Sequence, residues 1–137
     1  MNKLPGRVRI NSDGASRGNP GPAAIGVIIT DSAGNTLQTV SKCIGVTTNN
    51  QAEYRALIAG LEAALKLGAR EAMVRIDSEL IVKQVKGQYR VKKQELIPLY
   101  KKVMELLSSF QAFSIEHVAR ELNREADRLA NLALDGR

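Results

Sequence analysis

The sequence predicts an α/β protein: a five-stranded mixed sheet in the order 3-2-1-4-5 with helices on both faces. Three observations carry this. Three strand-like runs separated by turn residues fill the first 45 positions, helices and strands alternate after them, and the apolar residues recur at the spacing each element requires. A meander of three antiparallel strands, with a fourth entering parallel beside the first, gives that strand order.

The first run, Arg7 to Asp13, alternates Arg7, Val8, Arg9, Ile10, Asn11 at the period of a strand. It is expected to end on Asp13 and break into a glycine- and proline-rich loop reaching Pro22, where Gly14, Gly18 and Gly21 let backbone approach a ligand. Residues 23–31 (AAIGVIITD) read as a more buried strand. Ser32-Ala33-Gly34-Asn35 is turn chemistry, and residues 36–45 (TLQTVSKCIG) read as the third strand. A helix is predicted from Asn50 to Leu67, with Leu57, Leu61, Ala64 and Leu65 at helical spacing and Gly68 as its stop. Residues 71–77 (EAMVRID) form the fourth strand, followed by a short helix over 79–85 and the basic segment KGQYRVKK. A helix over 94–107, a strand over 113–118 and a last helix over 122–134 complete the chain. No internal repeat, low-complexity tract or linker interrupts it, so residues 1–137 are read as a single domain.

Composition bounds the function. With 44% hydrophobic and 25% charged residues the chain has the make-up of an ordinary globular domain. It holds no apolar run of membrane-spanning length, and its first residues, MNKLPGRVRI, lack a secretory leader pattern, so a cytoplasmic protein without membrane association is expected. A lone Cys43 and a lone His117 cannot build a disulfide or a four-ligand zinc site. The net charge of +6 favours a polyanionic partner, and Lys83, Lys86, Arg90, Lys92, Lys93, Lys101 and Lys102 concentrate that charge with only Glu95 opposing them.

Four acids stand where acids are costly or exposed to a cleft. Asp13 and Asp77 end the two neighbouring strands whose directions diverge, which is where open α/β sheets place their ligand sites. Glu53 lies on the stripe of Leu57 and Leu61, although Asn50 as helix cap with Glu53 three residues later is a capping-box pattern that explains the acid equally well. Asp127 borders the apolar face of the last helix, where an ion pair with a nearby Arg is the plainer explanation. An oxygen-rich cluster without Cys or His suits Mg²⁺ or Mn²⁺, and joined to a basic surface it implies phosphodiester chemistry.

The runs D13-G-A-S-R-G-N-P-G-P, T48-N-N-Q-A-E53-Y-R-A-L, I76-D77-S-E-L and R120-E-L-N123-R-E-A-D127-R-L-A-N resemble, in order and spacing, the type 1 ribonuclease H family. The resemblance implies the ribonuclease H-like fold and hydrolysis of the RNA strand of RNA/DNA hybrids, leaving 5′-phosphate and 3′-hydroxyl ends. It implies that Asp13, Glu53, Asp77 and Asp127 are the catalytic, metal-binding carboxylates, and that two Mg²⁺ ions per site act when substrate is bound, with Mn²⁺ as a substitute. Asp13 would bridge the ions, Glu53 and Asp77 would serve the leaving-group side and Asp127 the water side. Gly14, Ser16, Asn19, Thr48, Asn49, Asn50 and Gln51 fall at substrate-contacting positions, which read the 2′-hydroxyl and not base identity. A monomer without an obligatory protein partner is expected.

The chain departs from the family in three places. The loop histidine before the last helix is absent, His117 falls inside a strand where it reads as structural, and Arg120 or Glu121 at the short link is assigned the turnover role. The basic protrusion is reduced to KGQYRVKK, leaving grip to Arg90, Lys92 and Lys93. Glu79 stands where an amide is common. Three other functions compete. Gly14-Ala15-Ser16-Arg17-Gly18 matches a serine-hydrolase elbow, but Asn19-Pro20-Gly21-Pro22 forbids the helix an elbow must turn into. A non-catalytic nucleic-acid-binding module of the same fold, and an enzyme that also cuts double-stranded RNA, share every feature above except the reaction itself.

Overall fold

A computed structural model describes residues 6–136. One five-stranded sheet runs in the order β3-β2-β1-β4-β5, as the sequence predicts. Its strands are β1 (Arg7–Ser16), β2 (Gly21–Asp31), β3 (Thr36–Thr47), β4 (Glu71–Ile76) and β5 (Ala112–His117). The first three pair antiparallel, and β4 joins β1 and β5 in parallel. Helices α1 (Asn49–Lys66), α2 (Glu79–Val85), α3 (Ile97–Leu107) and α4 (Arg124–Asp135), with a 3-10 turn over Arg120–Asn123, complete the fold. Among the described residues no helix is long and apolar enough to cross a membrane.

The two faces of β1 are read off by alternation. Ile10 meets α1 at Gly60, where an added Cβ would lie 2.7 Å from the Ile10 side chain. Asn11, one residue on, bonds instead to Asn123 ahead of α4. Helices α1 and α4 therefore cover opposite faces, as expected. Val8, Ile10, Val27 and Ile29 from the sheet meet Leu57 and Leu61 of α1, all 0% exposed, and each such side chain contributes about 2 kcal/mol by leaving water. Helix α3 packs against α1 in the same layer. The buried Tyr54 hydroxyl donates to Gln84 Oε1 at 2.6 Å, tying α1 to α2. On the other face Ser41 Oγ donates to Leu129 O at 2.6 Å and Cys43 Sγ to Ala133 O at 3.1 Å, fastening β3 to α4.

Several boundaries move, each for a local reason. Strand β1 does not stop at Asp13: its pairing with β2 continues through Ser16↔Ala23, so Gly14, Ala15 and Ser16 belong to a hairpin arm and not to a loop. The chain leaves the sheet only at Arg17 to Pro20, where Gly18 has φ +111° and Asn19-Pro20 is cis. Helix α1 is capped by Thr48, not Asn50. Thr48 accepts from the Gln51 backbone N–H while Gln51 reaches back to the Thr48 N–H, so the capping box uses Gln51 and gives Glu53 no capping role. Gly68, at φ +85°, takes the left-handed position past the end of that helix. Helix α3 starts at Ile97 because Pro98 in its first turn excludes the carbonyl four residues back, at Gln94. The last helix begins at Arg124, after the 3-10 turn, because the Asn123 side chain is drawn inward (φ −123°, ψ 23°).

Candidate active site

Parallel pairing of β1 with β4 ends at Asn11↔Arg75, and past that pair the strands separate. Asp13 and Asp77 stand at this opening. Glu53 arrives from the first turns of α1, and one carboxylate oxygen from each of Asp13, Glu53 and Asp77 lies within 4.8 Å of the others. The approach depends on a missing side chain. A Cβ on Gly14 would stand 2.1 Å from the Ala52 carbonyl carbon and 2.4 Å from the Glu53 nitrogen, so only glycine admits the helix start. The Gly14 N–H donates to the Glu53 carboxylate. The absent side chain at Gly14 is thus required by the start of α1, whatever the residue does toward a ligand.

Gly26 performs the same service on the other face. It pairs with Asp13 across the β1–β2 ladder, and its Cβ would fall 2.0 Å from Ala126 O and 2.6 Å from Ala130 N. Helix α4 therefore lies directly on the sheet beside Asp13, and Asp127 comes with it. Asp127 approaches Asp13 but stands apart from the triad, 3.9 Å from the Arg120 guanidinium and 3.3 Å from Asn131 Nδ2. The Arg120 contact, between a 79% exposed and a 32% exposed side chain, contributes little by itself.

The triad is electrostatically uncomfortable. Asp13 is only 7% exposed, and its burial first, then the charge of Glu53 and the nearby Asp77, push its carboxyl far above the ordinary carboxylate range. Burial also raises Glu53, against the lowering pull of the Gly14 N–H and of Asp13. Such a set is satisfied either by shared protons or by a cation. All the donors are hard oxygens, which fits Mg²⁺ or Mn²⁺ and not zinc.

The predicted substrate residues gather beside the triad, linked to one another. Asn49 Oδ1 accepts from the Ser16 N–H at 3.1 Å and from Ser16 Oγ at 2.9 Å, while the Asn49 N–H donates to Asn19 Oδ1 at 3.1 Å. Thr48 and Gln51 are engaged in the cap. Asn19, Thr48, Asn49 and Asn50 line a largely polar cleft of about 390 Å³ together with Lys93, Glu95 and Leu96. Arg120 and Glu121 are both exposed, and of the two only Arg120 reaches an acid. His117 is on the surface and not in the core, at the last pair of β5 opposite Ile76. Glu79 is exposed and paired with Lys83 at 2.8 Å.

One further residue of the motif from Arg120 to Asn131 reaches the site. Asn123, 1% exposed, donates to Ser12 O at 2.9 Å and to Asp77 Oδ1 at 3.3 Å. A polar side chain beginning an apolar helical stripe was the available signal.

Known proteins match this chain along most of its length. The family model described as reverse transcriptase-like covers residues 11–133. A bifunctional protein of Mycobacterium tuberculosis is 49% identical over 130 residues, covering 94% of this chain and 36% of that protein. Ribonuclease HI of Halobacterium salinarum is 47% identical over 130 residues, covering 95% of this chain and 65% of the relative. The chain therefore spans about a third to two thirds of these relatives. The crystal structure of the Halobacterium RNase H1 superposes with a TM-score of 0.94 at 46% identity, covering 96% of this chain and 100% of that one. That of LC11-RNase H1, in complex with an RNA/DNA hybrid, gives 0.89 at 46% identity, covering 94% and 97%.

Proposed function

Since the chain belongs to the type 1 ribonuclease H family, we propose that it is a metal-dependent endonuclease hydrolysing the RNA strand of RNA/DNA hybrids. The observation that carries this is the meeting of Asp13, Glu53 and Asp77 from three separate elements, in a fold whose relative LC11-RNase H1 is seen bound to a hybrid. Residues 1–137 act as one catalytic domain, supported by the single sheet and its continuous core.

Asp13, Glu53 and Asp77 would hold Mg²⁺, with Mn²⁺ as substitute. Asp13 lies in the cluster with Glu53 and Asp77 and is also approached by Asp127, which favours it as the shared ligand. When bound, two such ions supply Lewis-acid activation of an attacking water and charge stabilisation of the leaving 3′-oxygen, the division that leaves 5′-phosphate and 3′-hydroxyl ends. Asp127 would orient that water, and its contact with Arg120 supports Arg120 as the turnover candidate of the link residues over Glu121. Asn19, Asn49 and Asn50 offer amides along the cleft that can report a 2′-hydroxyl without reading base edges. Ser16 and Gly14 shape this wall more than they touch substrate, through the Asn49 bonds and the contact with α1.

The test is a cleavage assay on labelled hybrid, double-stranded RNA and duplex DNA, each with Mg²⁺, Mn²⁺ or chelator. Cleavage of the hybrid's RNA with either metal and none with chelator is expected, and Asp13→Asn should abolish it while the protein stays folded. An inert wild-type protein with both metals would leave a binding module of the same fold. Cleavage of double-stranded RNA as well would widen the substrate class.

A further inference from the structure

Asn123 is a buried amide that the proposed reaction does not use directly. We propose that Asn123 is the positioning residue of the site, a single buried amide that fixes Asp77 and the start of the Asp127-bearing helix relative to Asp13. The inference rests on the metal-dependent reading above.

Three contacts define it. Asn123 Nδ2 donates to Ser12 O at 2.9 Å, and Ser12 directly precedes Asp13. The same nitrogen donates to Asp77 Oδ1 at 3.3 Å. Asn123 Oδ1 accepts from Asn11 Nδ2 at 3.1 Å. The amide's orientation follows from these partners: nitrogen must face the carbonyl and the carboxylate, oxygen must face the Asn11 amide. Both N–H groups are then used, one on β1 and one on the acid that follows β4, in the gap where those strands part. The bond to Asp77 occupies one carboxylate oxygen and leaves the other for a cation. Because Asn123 also closes the 3-10 turn that leads into α4, its grip on Ser12 O sets where that helix begins, and Asp127 is four residues on.

No other side chain of similar size does this. Aspartate has no donor and would face Asp77 with a like charge. Leucine would fill the volume but leave Ser12 O without its side-chain donor and Asp77 free to rotate. Residues that orient a metal's ligands typically change metal affinity or activity by about 10- to 100-fold when removed.

Metal binding is measured first without nucleic acid, by calorimetric titration of Mg²⁺ and Mn²⁺ into wild type, Asn123→Ala and Asn11→Ala, alongside melting temperatures; hybrid kinetics follow. For Asn123→Ala we expect metal affinity weakened about tenfold or more, with kcat reduced about 10- to 100-fold and KM for hybrid within about twofold. A lower melting temperature with unchanged metal affinity and unchanged kcat would make Asn123 merely structural and overturn the proposal. If Asn123→Ala does not fold, Asn11→Ala decides. It removes one of the three contacts that hold the amide, the only one to its oxygen, so it should shift metal affinity in the same direction by a smaller factor, and no shift overturns the proposal. Because the metal titration contains no substrate, its outcome stands even where wild type fails to cleave hybrid, which would overturn the reaction and not the positioning.

Discussion

Because Asp13 is buried beside Glu53 and Asp77, its ionised form is destabilised in the folded chain unless a cation is present. Burial and neighbouring charge raise Asp13 from 3.8 to about 10, and burial raises Glu53 from 4.5 to about 7. Between the unfolded and folded values the native state binds more protons than the unfolded chain, so this contribution to stability falls as pH rises. The window opens near pH 4, and it closes near 7 for Glu53 and near 10 for Asp13. Metal-free protein should therefore melt at a lower temperature at pH 8.5 than at pH 5.5 through these two groups, and Mg²⁺ should raise the melting temperature more at pH 8.5. Equal Mg²⁺ shifts at the two pH values would remove the assignment. Asp13→Asn, which takes up no proton on folding, should be more stable than metal-free wild type at pH 8.5, with the difference shrinking toward pH 5.5. Asn123 acts at the same scale, and its signal in the sequence is ambiguous for a physical reason: an asparagine before a helix is ordinarily a cap, and only the fold shows its amide turned inward to Ser12 and Asp77.

At the scale of elements, two glycines decide how closely the helices approach the sheet. Gly14 admits the start of α1 and so Glu53; Gly26 admits α4 and so Asp127. Replacing Gly26 by Ala sets a Cβ against backbone atoms of Ala126 and Ala130, so the helix itself must move. We expect a cost of about 1–3 kcal/mol, as for overpacking elsewhere in protein cores. Activity should fall further than the lost stability explains, because Asp127 is displaced even in molecules that remain folded. Denaturant unfolding and kcat on hybrid, measured together at a temperature where the variant is folded, check this; wild-type kcat in a destabilised variant would separate Asp127 from the reaction. The order of the strands and the short helix over Glu79–Val85 were legible because hydrophobic alternation and turn residues are local signals. The extension of β1 past Asp13 was not, since Gly14 to Ser16 look like loop residues until β2 pairs with them. The cap of α1 was misplaced for a similar reason: Thr48, Asn49 and Asn50 all suit the position, and Gln51 decides between them only through its backward reach. Asp127 was legible as an acid bordering an apolar stripe, but that it approaches Asp13 while lying outside the Asp13, Glu53 and Asp77 cluster depends on helix placement, which spacing does not encode.

At the scale of the whole molecule, the net charge of +6 is divided between cations already engaged and cations left free. Lys83 is tied to Glu79 at 2.8 Å and lies 4.9 Å from the centre of the Tyr89 ring. Lys102 leans toward Glu105 at 4.0 Å. Arg90, Lys92 and Lys93, in the loop between α2 and α3, are exposed and form no ion pair among the described residues. Lys93 shares the polar cleft with Asn19, Asn49 and Asn50, so the loop continues the surface on which the hybrid would lie. Free exposed cations bind phosphate mainly by releasing its counterions, a uniform term that does not distinguish ground from transition state. Changing Arg90, Lys92 and Lys93 together to Ala should therefore raise KM for hybrid by about tenfold or more at physiological salt, with kcat within about twofold of wild type. The dependence of log affinity on log salt should flatten by about 2 to 3, one phosphate contact being worth about 0.9. Binding measured by fluorescence anisotropy at several salt concentrations, using a metal-free mixture to prevent cleavage, reads the slope directly. An unchanged slope would move the grip elsewhere; a large loss of kcat at unchanged KM would mean that this loop reaches the reacting phosphate.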